Sequence, residues 1–369
     1  MKIPFLDLHA SYIELQNEID SSISRVLSSG RYIGGSEVES FEDEFSNYCG
    51  SKFTIGVANG LDALVLSLKS LDIGIGDEVI VPANTFIATW LAVSEVGAIP
   101  VPAEPNPLTY NIDVNEIKKL ITSKTKAIIP VHLFGQPADL DPILMLAKKN
   151  NLFVIEDAAQ AIGSRYKEKR IGAHGDLVCW SFYPGKNLGA FGDAGAISTN
   201  NEALANKIRS LSNYGSNKKY IHKFIGRNSR LDPIQAAILK VKLQFLDSWI
   251  DRRKNIASVY SSAFKDNPDI TIPFVPDWAE PAWHLYVINS SHRDSLQSYL
   301  SKNGIETIIH YPIPPHLQDA YTETLTQSTS LPITEHLALN ILSLPIGPHL
   351  TEKQSQYIIE SLDKASIYT

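Results

Sequence analysis

From about residue 53 to residue 211, short apolar runs alternate with stretches in which apolar residues recur at helical spacing. The runs 54–57, 78–81, 99–101, 127–131, 153–156, 177–182 and 195–199 have the length and composition of buried strands. Between them Leu61, Leu64, Val65, Leu68 and Leu71 mark one face of a helix, as do apolar positions in 143–147. This alternation predicts an α/β domain built on a mostly parallel sheet. Further on, Ile234, Ile238, Val241, Phe245, Trp249, Ile256 and Tyr260 keep a period near 3.6 with no interior proline, which predicts one long helix leading out of that domain. Beyond Pro268 the chain is richer in proline and short strands, with helical patterns near 293–303 and 352–365. The expected division is a large α/β domain over 1–245, including an N-terminal helix around 12–27, and a smaller α+β domain over 246–369.

Composition changes this picture little. A chain of 369 residues with 44% hydrophobic content can bury a large core, and at roughly 150 residues per domain it suggests two domains. The net charge is −7 and basic runs are no longer than Arg252-Arg253-Lys254, so a nucleic-acid partner is not expected. Cys49 and Cys179 are too few and too far apart for a disulfide framework. The opening MKIPFLDLHASY has no apolar run of signal-peptide length, and the most apolar long segment is interrupted by Pro82, Asn84 and Glu95, short of the ~20 residues of a membrane span. A cytoplasmic protein without a membrane partner is expected. The ten histidines form no HExxH and there is no CxxC, so no metal site is expected. GIGIGD has Val79 where a dinucleotide fingerprint needs its third glycine, and reads as a helix stop and turn.

The stretch SFYPGKNLGAFGDAGAI carries the candidate chemistry. An apolar run ends at Tyr183, the chain breaks at Pro184-Gly185, and Lys186 follows. Such a lysine can be a solvated turn residue. A phosphate-binding P-loop lysine is excluded, because Trp180 replaces the required glycine and Asn187 the required Ser or Thr. A nucleophilic lysine that forms an imine with a carbonyl is the remaining possibility. Upstream, Asp157 ends the apolar strand of NLFVIEDAAQ, where it is either a capping carboxylate or a group at the ligand-binding edge of the sheet. A lysine paired with an acid is what pyridoxal phosphate requires: one for the imine, the other for the pyridine nitrogen. Asn59-Gly60 opens a helix whose amides could hold a phosphate, with the Ser181 hydroxyl nearby, or it is simply a helix cap.

DAAQ, SFYPGKNLG and GRNSRLDPIQAAIL, in this order, resemble the DegT/StrS family of sugar aminotransferases, which has the aspartate-aminotransferase-like fold of pyridoxal-phosphate enzymes (fold type I). The resemblance runs nearly the whole chain, from IPFLDL through FEDEF, GDEVIVPANTFIAT and KAIIPVHLFGQPAD. It implies that Lys186 forms the imine with pyridoxal 5′-phosphate, Asp157 keeps the ring nitrogen protonated, Gln160 contacts the ring hydroxyl and Phe86 stacks on the ring. It implies further that Gly60, Leu61 and Ser181 hold the phosphate together with Asn228 of a second subunit, so that the active sites belong to a homodimer. Two positions depart from the family pattern: Ala194 stands where GDGGA has glycine, and Leu61 where a hydroxyl residue is common. Relatives that replace the lysine by histidine are dehydratases, so the intact Lys186 implies transamination.

HYPIPPHLQDAY and KKYIHKFIGRNSRLD resemble the subgroup that acts at C3 of dTDP-linked 3-keto-6-deoxyhexoses. That implies glutamate as amino donor, pyridoxamine phosphate as the intermediate form of the cofactor, and a dTDP-3-amino-3,6-dideoxyhexose for surface glycans as product. Lys219, Tyr220, His222 and Arg230 could supply donors to the diphosphate, and Tyr183, His310 and Tyr311 could line the sugar pocket. The bland alternative is a rigid YPIPP loop with solvated lysines and histidines. Competing readings are a C4 aminotransferase for a UDP- or dTDP-linked 4-keto sugar and a non-catalytic regulatory or binding member of the fold.

Overall fold

The computed structural model describes residues 1–322 and 330–365. Seven strands form the central sheet: β1 (Phe53–Val57), β2 (Glu78–Pro82), β3 (Ile99–Ala103), β4 (Thr125–Ile128), β5 (Phe153–Asp157), β6 (Leu177–Ser181) and β7 (Gly195–Thr199). Their order is β1-β7-β6-β5-β4-β2-β3, and only β7 runs against its neighbours. Both faces are covered, so the strands read as continuous apolar runs rather than alternating ones. Ile155, Cys179 and Ile197 face one core with Leu64, Val65 and Trp90 from the covering helices, while Val178 and Trp180 face the other with Phe41, Phe45 and Leu239. The register has a direct consequence: Val57 and Ser181 both pair with Gly195, so the chain leaving β1 and the end of β6 lie side by side. Asp157, pairing with Cys179, ends the adjacent strand.

The expected long helix is two, Pro233–Leu243 and Leu246–Phe264. At the break the amides of Gln244 and Phe245 donate to Val241 and Lys242, three residues back, which tightens the turn. The apolar period survives it because Ile234, Val241, Phe245 and Trp249 pack in one cluster with the N-terminal helix. That helix is also divided, into Leu8–Glu14 and Gln16–Ser29, and Leu15 and Ile19 seat it against Ile238 and Trp249.

A second core surrounds the antiparallel pair β8 (Tyr286–Asn289) and β9 (Ile341–Leu344). Helices Arg293–Lys302 and Glu352–Ala365 cover it, close to the expected 293–303 and on the expected 352–365. The helix Leu246–Phe264 serves both cores: Leu246 and Ile250 belong to the large one, and Ile256, Tyr260 and Phe264 to the smaller. The first residues depart from the expected division, since Ile3 is buried in the smaller core and its amide donates to the Gly304 carbonyl at 2.8 Å. Among the described residues no helix is long and apolar enough to cross a membrane, and no group of three or more His, Cys, Asp or Glu could hold a metal.

Candidate active site

Lys186 sits in a closed turn. The Ala190 amide donates to the Phe182 carbonyl and the Lys186 amide to that of Tyr183, both at 2.8 Å. The Asn187 side chain ties the turn to the Ala282 carbonyl at 2.8 Å. Pro184-Gly185 therefore ends β6 so that the chain can double back and present the amine beyond the strand ends, where ligands bind in open α/β sheets. Burial lowers the Lys186 pKa to about 8, with the Asp157 carboxylate opposing the shift. A considerable fraction of neutral amine near neutral pH is what a nucleophile or base requires.

Asp157 is buried at the end of β5. Burial raises its pKa, opposed by three features: the Thr89 hydroxyl donating to Oδ2 at 2.9 Å, the Ala159 amide donating to Oδ1 at 3.2 Å, and the positive charge of Lys186. With the Thr89 hydroxyl donating to Asp157, the contact of 3.0 Å between the hydroxyls of Thr85 and Thr89 must have Thr85 as donor. Glu156 points to the opposite face, where its Oε2 meets His132 Nε2 at 2.9 Å and its Oε1 accepts from the Gly175 amide at 2.6 Å. His132 Nδ1 accepts from the Ala138 amide at 3.0 Å, which fixes the ring proton on Nε2. Burial alone would raise the Glu156 pKa; the hydrogen bonds from His132 and the Gly175 amide oppose it and the result is lowered.

Gln160, Tyr311 and Phe86 form the next part. Gln160 Oε1 accepts from the Phe134 amide at 2.6 Å, and its Nε2 donates to the Tyr311 hydroxyl at 3.0 Å. Tyr311 lies 5.4 Å from the Phe86 ring, and Phe86 is 53% exposed, so its face is not spent on the core of this chain. The His310 ring meets the Ser343 hydroxyl at 2.8 Å. Burial and then the charge of Lys186 lower the His310 pKa to about 4, and the same causes hold His284 well below the usual histidine value. Both rings are neutral beside the amine.

The start of the helix Gly60–Ser70 meets β6. Asn59 caps it, accepting from the Asp62 amide at 2.8 Å, which leaves the Gly60 and Leu61 amides without an intramolecular partner among the described residues. A Cβ on Gly60 would lie 2.8 Å from Ser181 Cβ, so glycine is required for this close approach. Ala194 has no positive φ and its methyl is buried among Trp180, Ala196 and Leu231; the departure at that position fits the core.

The remaining residues named from sequence lie apart. Lys219 and Tyr220 form the turn of a hairpin, Ser216–Lys218 with Ile221–His222, and Tyr220 is 83% exposed. His222 Nδ1 bonds the Tyr214 carbonyl at 2.9 Å, while Arg230 donates to Asn213 at 3.1 Å and lies over the Tyr214 ring. Asn228 is exposed and bridged to Asn213, and its neighbour Ser229 accepts from the Ala58 amide at 3.2 Å. Tyr183 is exposed beside the turn of Lys186. Among the described residues no hydrogen bond, ion pair or ring contact joins Lys219, Tyr220, His222, Asn228 or Arg230 to Lys186, Asp157, Gln160 or Tyr311. Sequence reasoning missed Thr89, His132 and His284; Thr89 alone carried a signal, one helical turn beyond Phe86 in PANTFIAT.

A mostly parallel sheet of this order, with a lysine and a buried carboxylate that interact through their charges beyond its strand ends, defines a transaminase of the aspartate-aminotransferase-like fold that works with pyridoxal 5′-phosphate. The chain matches the DegT/DnrJ/EryC1/StrS aminotransferase family over residues 14–363 and belongs to it. It is 52% identical to the dTDP-3-amino-3,6-dideoxy-alpha-D-galactopyranose transaminase of Aneurinibacillus thermoaerophilus, with 98% of this chain and 99% of the relative covered. Among solved structures it resembles S. venezuelae DesV in complex with a ketimine intermediate, with TM-score 0.97, 49% identity and coverage of 99% and 98%. Bacillus subtilis NtdA with bound cofactor PMP gives TM-score 0.92 at 32% identity, covering 99% of this chain and 85% of that one. The residues present fit the cofactor: free amides and a glycine-only approach for a phosphate, a carboxylate for a ring nitrogen, an open aromatic face, and buried polar atoms of Asn84, Asn187 and His284 without partners among the described residues.

Proposed function

We propose that the protein transfers the amino group of glutamate to C3 of a dTDP-3-keto-6-deoxyhexose, giving a dTDP-3-amino-3,6-dideoxyhexose. The observation that carries this reading is the identity of 52%, end to end, with a transaminase named for such a product. The charge interaction between Lys186 and Asp157 supports the chemistry.

Pyridoxal 5′-phosphate, when bound, supplies the electron sink for the carbon that loses its proton. Lys186 would hold the cofactor's carbonyl carbon through Nζ, Asp157 its ring nitrogen, Gln160 its ring hydroxyl and Phe86 one face of the ring. The Gly60 and Leu61 amides and the Ser181 hydroxyl would hold its phosphate. Freed from the cofactor, Lys186 Nζ carries the proton between donor and acceptor carbons, for which its pKa of about 8 is suited. Asp157, whose ionised form the Thr89 hydroxyl and the Ala159 amide favour, would stabilise a proton on the cofactor's ring nitrogen. His310, Tyr311 and Tyr183 would line the sugar pocket. The protein would work in the cytoplasm as a homodimer, with Asn228 and the hairpin residues Lys219, Tyr220, His222 and Arg230 completing the phosphate and diphosphate sites of the partner. The exposure of Lys219, Tyr220, His222 and Asn228, and the separation of all five from Lys186 in this chain, support that arrangement.

Glutamate added to the cofactor-loaded enzyme without sugar should release about one 2-oxoglutarate per site, since transamination runs in two half-reactions. Adding the keto sugar should then allow a second equivalent. Release of no 2-oxoglutarate by loaded enzyme would contradict glutamate as donor.

A further inference from the structure

The helix Pro233–Leu243 presents Lys242 to the turn that carries Lys186. Lys242 is 3% exposed, and its Nζ donates to the Gly189 carbonyl at 2.7 Å while lying 4.5 Å from the centre of the Phe191 ring. Among the described residues no carboxylate pairs with it. Burying an ammonium without a counter-charge is costly, and an apolar side chain of equal length would fill the same space without that cost. The carbonyl it captures closes the turn: a Cβ on Gly189 would lie 2.2 Å from the Pro184 carbonyl oxygen, so the two ends of the segment holding Lys186 are packed against each other at that residue. Two helical turns earlier on the same face, Gln235 Oε1 accepts from the Phe191 amide at 2.8 Å, so one helix grips the outgoing limb of the turn at two points.

We propose that Lys242 is a positioning residue for transamination, clamping the Gly189 carbonyl so that the amine of Lys186 is held at the reacting position. The inference rests on the reading of Lys186 given above, and Gln235 assists it. The ring of Phe191 stabilises the cation in place of a carboxylate. Burial lowers the Lys242 pKa to about 8, and the neutral amine still donates to the carbonyl.

The test uses Lys242→Met, which keeps the length and loses the donor, with Lys242→Arg as rescue. Two quantities are read: kcat and KM for the keto sugar, and the pH at which Lys186 in cofactor-free protein reacts half-maximally with an acylating reagent, followed by mass spectrometry. The clamp predicts that Lys242→Met lowers kcat at least tenfold with KM within about twofold, and moves the Lys186 half-point upward by a pH unit or more as the turn loosens and the amine is solvated. Lys242→Arg should recover most of both. Should neither variant fold, Gln235→Leu should give the same changes at smaller size. A folded Lys242→Met protein with the wild-type half-point, whether or not its melting temperature falls, would overturn the proposal. If wild-type enzyme makes no amino sugar while the half-point still moves, the reaction assigned above fails and the clamp stands.

Discussion

At the scale of single residues, we propose that Lys186 and Asp157 carry the chemistry and that Thr89 supports Asp157. Lys186→Ala should abolish turnover, and steady-state product measurement showing substantial residual transamination would refute its role. Asp157→Asn removes the charge but keeps the shape, so kcat should fall by orders of magnitude with the melting temperature little changed. Thr89→Val should act more weakly, by about tenfold in rate, because one hydrogen bond to a charged group is worth about 1.5–3 kcal/mol and part of it is replaced. A linkage prediction concerns Lys186 in cofactor-free protein. Its folded pKa, about 8, lies below the unfolded value, so the unfolded chain binds more protons between those values and stability rises with pH across that window. Lys186→Met should therefore stabilise the cofactor-free protein at pH 7, and the gain should vanish toward pH 10.5, as chemical denaturation at several pH values would show. The placing of Lys186 and Asp157 beyond the sheet was legible in sequence, because Asp157 ends one apolar strand and Lys186 follows another across Pro184-Gly185. Thr89 was not, since its contact spans 68 residues and depends on how a helix lies over the sheet.

At the scale of elements, the helix start at Asn59-Gly60 and the end of β6 form one device. Gly60→Ala should weaken cofactor retention, because its methyl meets Ser181 Cβ at 2.8 Å, and Ser181→Gly should restore space in the double variant. Equilibrium dialysis of the cofactor against the four proteins reads the coupling; equal losses in the single and double variants would contradict it. The strands of the sheet were legible because burial on both faces gives apolar runs bounded by turns. Two boundaries were not. The break at Gln244 involves neither proline nor glycine and leaves the apolar period intact, and the division at Leu15 is equally silent in the pattern. The pairing of Val57 and Ser181 with Gly195, which brings the cradle together, is a matter of register that no local signal records.

For the whole molecule, we propose that 1–245 and 246–369 are the two units of the chain, with the opening residues around Ile3 crossing to the smaller core. Completion of each site by a second subunit would explain why the residues named for the diphosphate stand apart from Lys186 although all of them lie in 1–245. Mixing inactive Lys186→Ala subunits with inactive Asn228→Ala subunits should restore activity in heterodimers, because one of the two sites then has both an intact lysine and an intact partner asparagine. No recovery despite demonstrated subunit exchange would contradict a shared site. The most direct measurement is NMR of the product formed from 15N-glutamate and a dTDP-3-keto-6-deoxyhexose by the cofactor-loaded enzyme. The account predicts the label on C3 of the sugar; no labelled sugar from loaded enzyme that turns over a 4-keto sugar instead, with the label on C4, would contradict it.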